Sequence, residues 1–240
     1  MIQVSENPRI VRFLPWGSKD YSLAWQAQED LFQRVEKAKL KRRNGQTHLY
    51  PLNYLVTVEH PPVYTLGKSA NPANLLYPEQ FYTSKGAEIY RINRGGDVTF
   101  HGPGQLVVYP IFDLDQFFTD IHKYLRYLEE SVIRTLAEYG IAAERSAGET
   151  GVWIDPHGRK PRKICAIGVR AARWITMHGL ALNVNTDLRW FDYIIPCGIQ
   201  QKAVTSLERE IGTTVPLSQV ESKLLSHLKQ LFDFDWAPAD

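Results

Sequence analysis

Apolar residues in this chain recur at helical spacing near each end and at strand spacing through the middle. An alternating segment at 10–14 predicts a short strand. From 21 to 41, Leu23, Ala27, Leu31, Val35 and Ala38 share one helical face, with Ser18 or Asp20 placed to cap the start and Asn44-Gly45 to end it. Segments 54–59 and 63–66 read as strands separated by Pro61-Pro62, and 88–91 and 106–109 as two more. A second amphipathic helix covers 121–139, with Ile121, Leu125, Leu128, Val132 and Leu136 inward and Gly140 as its C′ residue. From 141 to 184 short apolar runs are punctuated by Gly148, Gly151, Asp155-Pro156-His157-Gly158 and Gly179, which is a β pattern. A last helix is predicted from Ser218, where Ser218 and Glu221 match a capping box and Leu224, Leu225, Leu228 and Leu231 form the buried stripe. The expected fold is α+β: one domain over 1–240, with helices packed on a largely antiparallel or mixed sheet.

Composition narrows the function more than the fold. At 240 residues, 44% apolar and 22% charged, the chain is an ordinary soluble domain. A net charge of +2 gives no footprint for nucleic acid or an anionic membrane. The first residues lack an apolar core and a cleavage site, so no secretory signal is expected, and a cytoplasmic location is. Two cysteines, Cys165 and Cys197, build no disulfide framework but leave room for one reactive thiol. The seven histidines show no metal-ligand spacing. The basic run at Lys37, Lys39, Lys41, Arg42 and Arg43 has two readings: a solvated helix end that suits the macrodipole, or a docking patch for an acidic protein.

Three places hold candidate chemistry. Arg94-Gly95-Gly96-Asp97-Val98-Thr99-Phe100-His101-Gly102-Pro103-Gly104-Gln105 packs four glycines, an arginine and a histidine between strand-like segments. Glycines there allow either a tight turn or close backbone approach to a ligand. Cys197, between Pro196 and Gly198, sits at a chain turn that a substrate could reach; on its own it could equally be a small buried apolar residue. Lys163 opens an alternating segment, Lys163-Ile164-Cys165-Ala166-Ile167-Gly168, and either snorkels to water or enters a pocket as a proton carrier.

Together these segments resemble the lipoyl(octanoyl) transferase family. The first is similar to its Arg-Gly-Gly, Thr, aromatic, His, Gly-Gln signature. Lys163-Ile164-Cys165-Ala166-Ile167-Gly168 and Pro196-Cys197-Gly198 resemble the segments that carry its lysine–cysteine dyad. Glu59-His60-Pro61-Pro62, Thr150-Gly151-Val152-Trp153 and His178-Gly179-Leu180-Ala181-Leu182-Asn183 look like further family motifs, so the resemblance runs from about 59 to 207. Cys165 departs from the family's usual alanine and places a second thiol near the site. The resemblance implies a fold like the catalytic domain of biotin and lipoate protein ligases. It implies an acyltransferase with Cys197 and Lys163 as catalytic residues. Substrate would be bound by Arg94, Gly95, Gly96, Asp97, Val98, Thr99, Phe100, His101, Ala166, Ile167, Gly168, His178, Gly179, Leu180 and Ala181. The implied donor is octanoyl-acyl carrier protein. The implied acceptors are lipoyl domains of 2-oxoacid dehydrogenase complexes and the glycine cleavage H protein. No cofactor, metal, nucleic acid or membrane is implied, and a monomer is expected.

The alternative is an ATP-dependent lipoate–protein ligase, which shares fold and acceptor but activates a free acid and needs no nucleophilic cysteine. A non-catalytic binder of lipoyl domains could dispense with Lys163 or Cys197, and both are present. A Cys-His hydrolase using His101 or His178 fits the residue types but would not shield an acyl intermediate from water.

Overall fold

Strands covered on both faces read as unbroken apolar runs, and β6 (Gln105–Ile111) is buried along its whole length for that reason. Leu106 and Val108 point into one core cluster, Val107, Tyr109 and Ile111 into another. The computed structural model describes residues 9–46, 50–196 and 203–238. The other strands are β1 (Ile10–Ser18), β2 (Asn53–Glu59), β3 (Val63–Leu66), β4 (Glu88–Arg91), β5 (Val98–His101), β7 (Ala143–Ser146), β8 (Glu149–Ile154), β9 (Arg162–Ala172), β10 (Ile175–Asn183), β11 (Ala203–Val204) and β12 (Asp235–Trp236). The helices are α1 (Tyr21–Arg43), α2 (Glu79–Ser84), α3 (Ile121–Ala137), α4 (Leu207–Ile211) and α5 (Leu217–Phe232).

Among the described residues a nine-stranded sheet runs β12-β1-β2-β6-β10-β9-β8-β7, with β11 paired to β9 off that path. Pairing is antiparallel from β2 through to β7, and parallel for β12–β1–β2 and β11–β9. The result is the α+β mixed sheet that the pattern predicted. On one face, α3 and α5 bury Tyr124, Leu128, Val132 and Leu136 with Val220, Leu224, Leu228 and Phe232; on the other, α1 lays Leu31, Phe32 and Val35 over Val56, Val107 and Met177. Each such large side chain contributes about 1.5–3 kcal/mol by leaving water. A three-stranded sheet, β4-β3-β5, packs its own aromatic cluster around Tyr64, Tyr82 and Phe100.

The apolar spacing misplaced the inner face of α1. Leu23 is 58% exposed, while the buried line runs Tyr21, Ala24, Gln28, Leu31, Phe32, Val35 and Lys39. Two of these are polar, and each has a specific partner. Gln28 Oε1 accepts from the His178 N–H at 3.0 Å, and Lys39 Nζ donates to Asp113 Oδ1 at 2.5 Å and to the Arg173 carbonyl at 2.8 Å. Lys39 also pairs with Asp115 at 2.9 Å, which Arg43 meets at 2.8 Å, and Arg42 lies over the Tyr50 ring at 3.7 Å. The basic run is therefore partly internal: Lys39 is buried against Asp113, Arg42 and Arg43 have partners within the chain at the surface, and Lys37 and Lys41 stay exposed. The helix starts also differ from expectation. Asp20 precedes α1 without a side-chain cap, and α5 begins one residue early, after Pro216, so the Ser218 capping box does not form. Pro216 already fixes a backbone entry that leaves Ser218 inside the first turn.

Candidate active site

The glycine-rich stretch is not one loop: Val98–His101 forms β5, paired antiparallel to β3. Alternation along β5 divides its side chains. Phe100 turns into the small-sheet core and stacks on Trp190 at 5.3 Å, so its side chain does not line the cleft. Thr99 and His101 face a narrow cleft on the other side, and Val98, whose side chain is buried in the same cluster as Phe100, only touches its edge. Ala166, Ile167 and Gly168 of β9 and His178, Gly179, Leu180 and Ala181 of β10 form the facing wall. Tyr21, Val107 and Tyr109, to which the sequence reading gave no role, also line the cleft.

Close backbone contact closes the wall. The Gly95 N–H donates to the Val169 carbonyl at 2.9 Å, and a Cβ on Gly168 would sit 2.9 Å from the Gly95 carbonyl oxygen. Only glycine fits at 168. Arg94 is buried and stitches the loop to β3: Nη2 donates to the Thr65 carbonyl at 2.6 Å and to Thr65 Oγ1 at 2.9 Å, and Nη1 to the Gly95 carbonyl at 3.0 Å.

The histidines around the cleft are neutral. Burial holds His60 down to about 4, opposed by its bond to Lys19, and holds His101 down to about 3, helped by His60. Burial, then the Arg94 and Arg170 charges, puts His178 at about 3. Their tautomers follow from partners that can only accept. His60 Nδ1 donates to the Lys19 carbonyl at 2.7 Å, so Tyr109 Oη donates to His60 Nε2 at 2.8 Å. Asn183 Nδ2 donates to the Thr205 carbonyl at 3.0 Å, so Asn183 Oδ1 accepts from Gln105 Nε2 at 2.8 Å. Gln105 Oε1 then accepts from His101 Nδ1 at 2.8 Å, leaving Nε2 of His101 as an acceptor. A ring held so far below neutrality is a poor base but a fixed hydrogen-bond acceptor. His178 Nε2 donates to Asn93 Oδ1 at 3.1 Å, and the residue is held at φ +57, a conformation that nothing but packing and these bonds maintains.

A second hollow adjoins the first, sharing Gly96, Asp97, Ile167 and Gly168, and Lys163 lines it beside Gly95 and Thr150. Lys163 is buried, with its ammonium 4.6 Å from the Trp153 ring, its neighbour across the β8–β9 ladder. Its stem lies along Gly151, where φ is +125 and a Cβ would be 3.4 Å from Lys163 Cε and 2.6 Å from the Cys165 carbonyl oxygen. Gly151 is held from below, its N–H donating to buried Glu129 Oε1 at 3.0 Å. Glu129 is bracketed by Arg126 and Arg145. Sequence spacing gave no sign of Glu129, since it lies on α3, far from the motif it supports.

Cys197 lies outside the described residues, and the described chain on either side of it is held by backbone bonds. Upstream, the Ile195 N–H donates to the Asn74 carbonyl at 2.9 Å. Downstream, β11 pairs Val204 with Lys163, and the Thr205 N–H donates to the Lys163 carbonyl at 2.9 Å. Cys165, two residues from Lys163, is fully buried in the core under α3, and burial pushes its thiol well above the usual range. The thiol that departs from the family pattern is thus close in sequence but closed to reagents and substrates.

The lipoyl protein ligase A/B catalytic domain model matches residues 20–229. The chain belongs to that family. Within it, the chain is 58% identical to an octanoyltransferase of Christiangramia forsetii over 90% of its own length and 93% of the relative's. It is 49% identical to the octanoyltransferase of Rubrobacter xylanophilus over 92% of each chain. It is an acyltransferase of the octanoyltransferase group. Solved structures share the fold at low identity. A lipoate-protein ligase A bound with ATP superposes with a TM-score of 0.68 at 15% identity, covering 96% of this chain and 88% of that one. A structure described as a bipartite lipoate protein ligase and its E2 lipoyl domain from Thermoplasma acidophilum gives 0.68 at 16%, covering 96% and 86%. Among the described residues no helix is long and apolar enough to cross a membrane.

Proposed function

We propose that this octanoyltransferase takes its acyl group from octanoyl-acyl carrier protein and delivers it to a lysine of lipoyl domains, by way of a thioester on Cys197. The observation that carries this reading is buried Lys163 lining a hollow that shares Gly96, Asp97, Ile167 and Gly168 with the apolar cleft, with the described chain just beyond Cys197 paired to Lys163 itself. The cleft holds the acyl chain among Val107, Leu180 and Ala181. The Lys163 cation favours the Cys197 thiolate. The thiolate attacks the donor's carbonyl carbon, and the carrier thiol leaves with a proton from Lys163. The neutral amine of the acceptor lysine then attacks the enzyme thioester, Lys163 takes the proton that the amine loses, and Cys197 leaves as thiolate. The sum is thioester plus amine to amide plus thiol, which is downhill and needs no ATP. In this reading, backbone amides near Ala166–Gly168 and the 94–101 loop serve the oxyanion site.

Intact-protein mass spectrometry after incubation with octanoyl-acyl carrier protein tests this. One octanoyl adduct is expected on the wild-type chain and on Cys165→Ala, and none on Cys197→Ser. An adduct that survives in Cys197→Ser and maps to another residue overturns the assignment. Acyl transfer that requires free octanoate and ATP would instead establish the ligase reading.

A further inference from the structure

Asp97 belongs to the loop that the resemblance assigns to substrate, yet its carboxylate is taken up by the chain itself. Oδ1 accepts from the Val98 N–H at 2.7 Å and the Asn71 N–H at 3.3 Å, and Oδ2 accepts from Asn74 Nδ2 at 2.5 Å. Three donors from three different residues thus converge on this one side chain. Asn71, Pro72 and Asn74 form a single turn, with Asn71 Oδ1 accepting from the Ala73 N–H at 3.0 Å, so the turn is preset before Asp97 grips it.

The other end of that turn holds the chain that leads into Cys197. The Asn74 carbonyl accepts from the Ile195 N–H at 2.9 Å, Leu75 bridges Ile194, and the Leu76 N–H donates to the Tyr193 carbonyl at 3.1 Å. Ile195 is two residues before Cys197. A continuous path therefore runs from the 94–101 loop, through Asp97 and Asn74, to the approach to the nucleophile. The same loop is fixed to β9 by Gly95 and to β3 by Arg94, so the path ends on rigid structure.

We propose that Asp97 is a positioning residue: through Asn74 it holds the segment ending at Ile195, which leads into Cys197, against the 94–101 loop. The proposal rests on the Cys197 reading above. It differs from a donor-binding role for Asp97 in what it predicts for rate against affinity. A nucleophile displaced by a fraction of an ångström loses reactivity while the donor still binds.

The test is a double-mutant cycle of Asp97→Ala, Asn74→Ala and the pair, read in single-turnover acylation of Cys197 by octanoyl-acyl carrier protein. Asn74→Ala keeps the carbonyl that Ile195 uses and removes only the amide that Asp97 holds. Each single variant should lower the maximal acylation rate between about tenfold and about a hundredfold, with the half-saturating donor concentration changed less than about twofold. The pair should be no slower than the worse single, because both act through one contact. Amide exchange at Ile195, followed by mass spectrometry, should quicken in all three. A raised half-saturating concentration with an unchanged maximal rate would make Asp97 a donor-binding group and overturn the proposal. So would multiplicative losses in the pair, or unchanged Ile195 exchange. Absence of any Cys197 adduct in the wild-type chain would instead overturn the cysteine reading, and Ile195 exchange would still report whether the clasp exists.

Discussion

His60, His101 and His178 are buried neutral imidazoles, and that state ties stability to pH in a definite direction. Their folded values, about 4, 3 and 3, lie below the usual 6.5. Between those limits the unfolded chain binds protons that the folded chain refuses, so stability rises with pH and falls as pH drops below about 6.5. Each such histidine adds a slope of up to about 1.4 kcal/mol per pH unit within that window. Urea unfolding between pH 7 and pH 4.5 should show a falling midpoint. His60→Gln can still donate to Lys19 and accept from Tyr109, yet has no proton to gain, so its slope should be shallower. Equal slopes for the two proteins would mean that His60 is not held neutral. Histidine identity was legible in the sequence, but its protonation was not, because burial and the bond to Tyr109 come from elements far apart in the chain.

At the scale of elements, α1 shows why the sequence is read well in outline and less well in phase. Its length and end were legible in apolar spacing and in Asn44. Its inner face was not, because Gln28 and Lys39 are buried by partners on β10 and next to β6 rather than by apolarity. Lys39 and Asp113 are 5% and 4% exposed, so removing one charge leaves the other stranded. Lys39→Gln should cost about 3–5 kcal/mol in chemical unfolding, whereas the exposed Lys37 and Lys41 should change stability by no more than about 0.5 kcal/mol on the same substitution. Equal, small effects at all three positions would return Lys39 to the surface and the run to a docking role. β5 teaches a related lesson about the candidate site. The glycine-rich signature disguised a four-residue strand, and alternation along it sends Phe100 into the core while Thr99 and His101 face the cleft. The loop's glycines were visible; which of its side chains turn outward was settled by pairing with β3. Glu129 under Gly151, and Tyr21 and Tyr109 lining the cleft, were invisible for the same reason: tertiary packing alone brings them there.

For the whole molecule, one arrangement joins these parts. The large sheet supplies the cleft wall and Lys163, the small sheet supplies the loop, and the described chain on either side of Cys197 bonds to Asn74 before it and to Lys163 after it. If that arrangement shuttles an acyl group, the enzyme thioester must be an intermediate and not a side product. The most direct measurement is a chase: octanoyl-enzyme is freed of donor by gel filtration and mixed with excess lipoyl domain, and both proteins are weighed by rapid-quench mass spectrometry. The octanoyl mass should leave the enzyme and appear on one lysine of the lipoyl domain at least as fast as steady-state turnover. An adduct that stays on the enzyme while turnover with fresh donor proceeds would contradict the account.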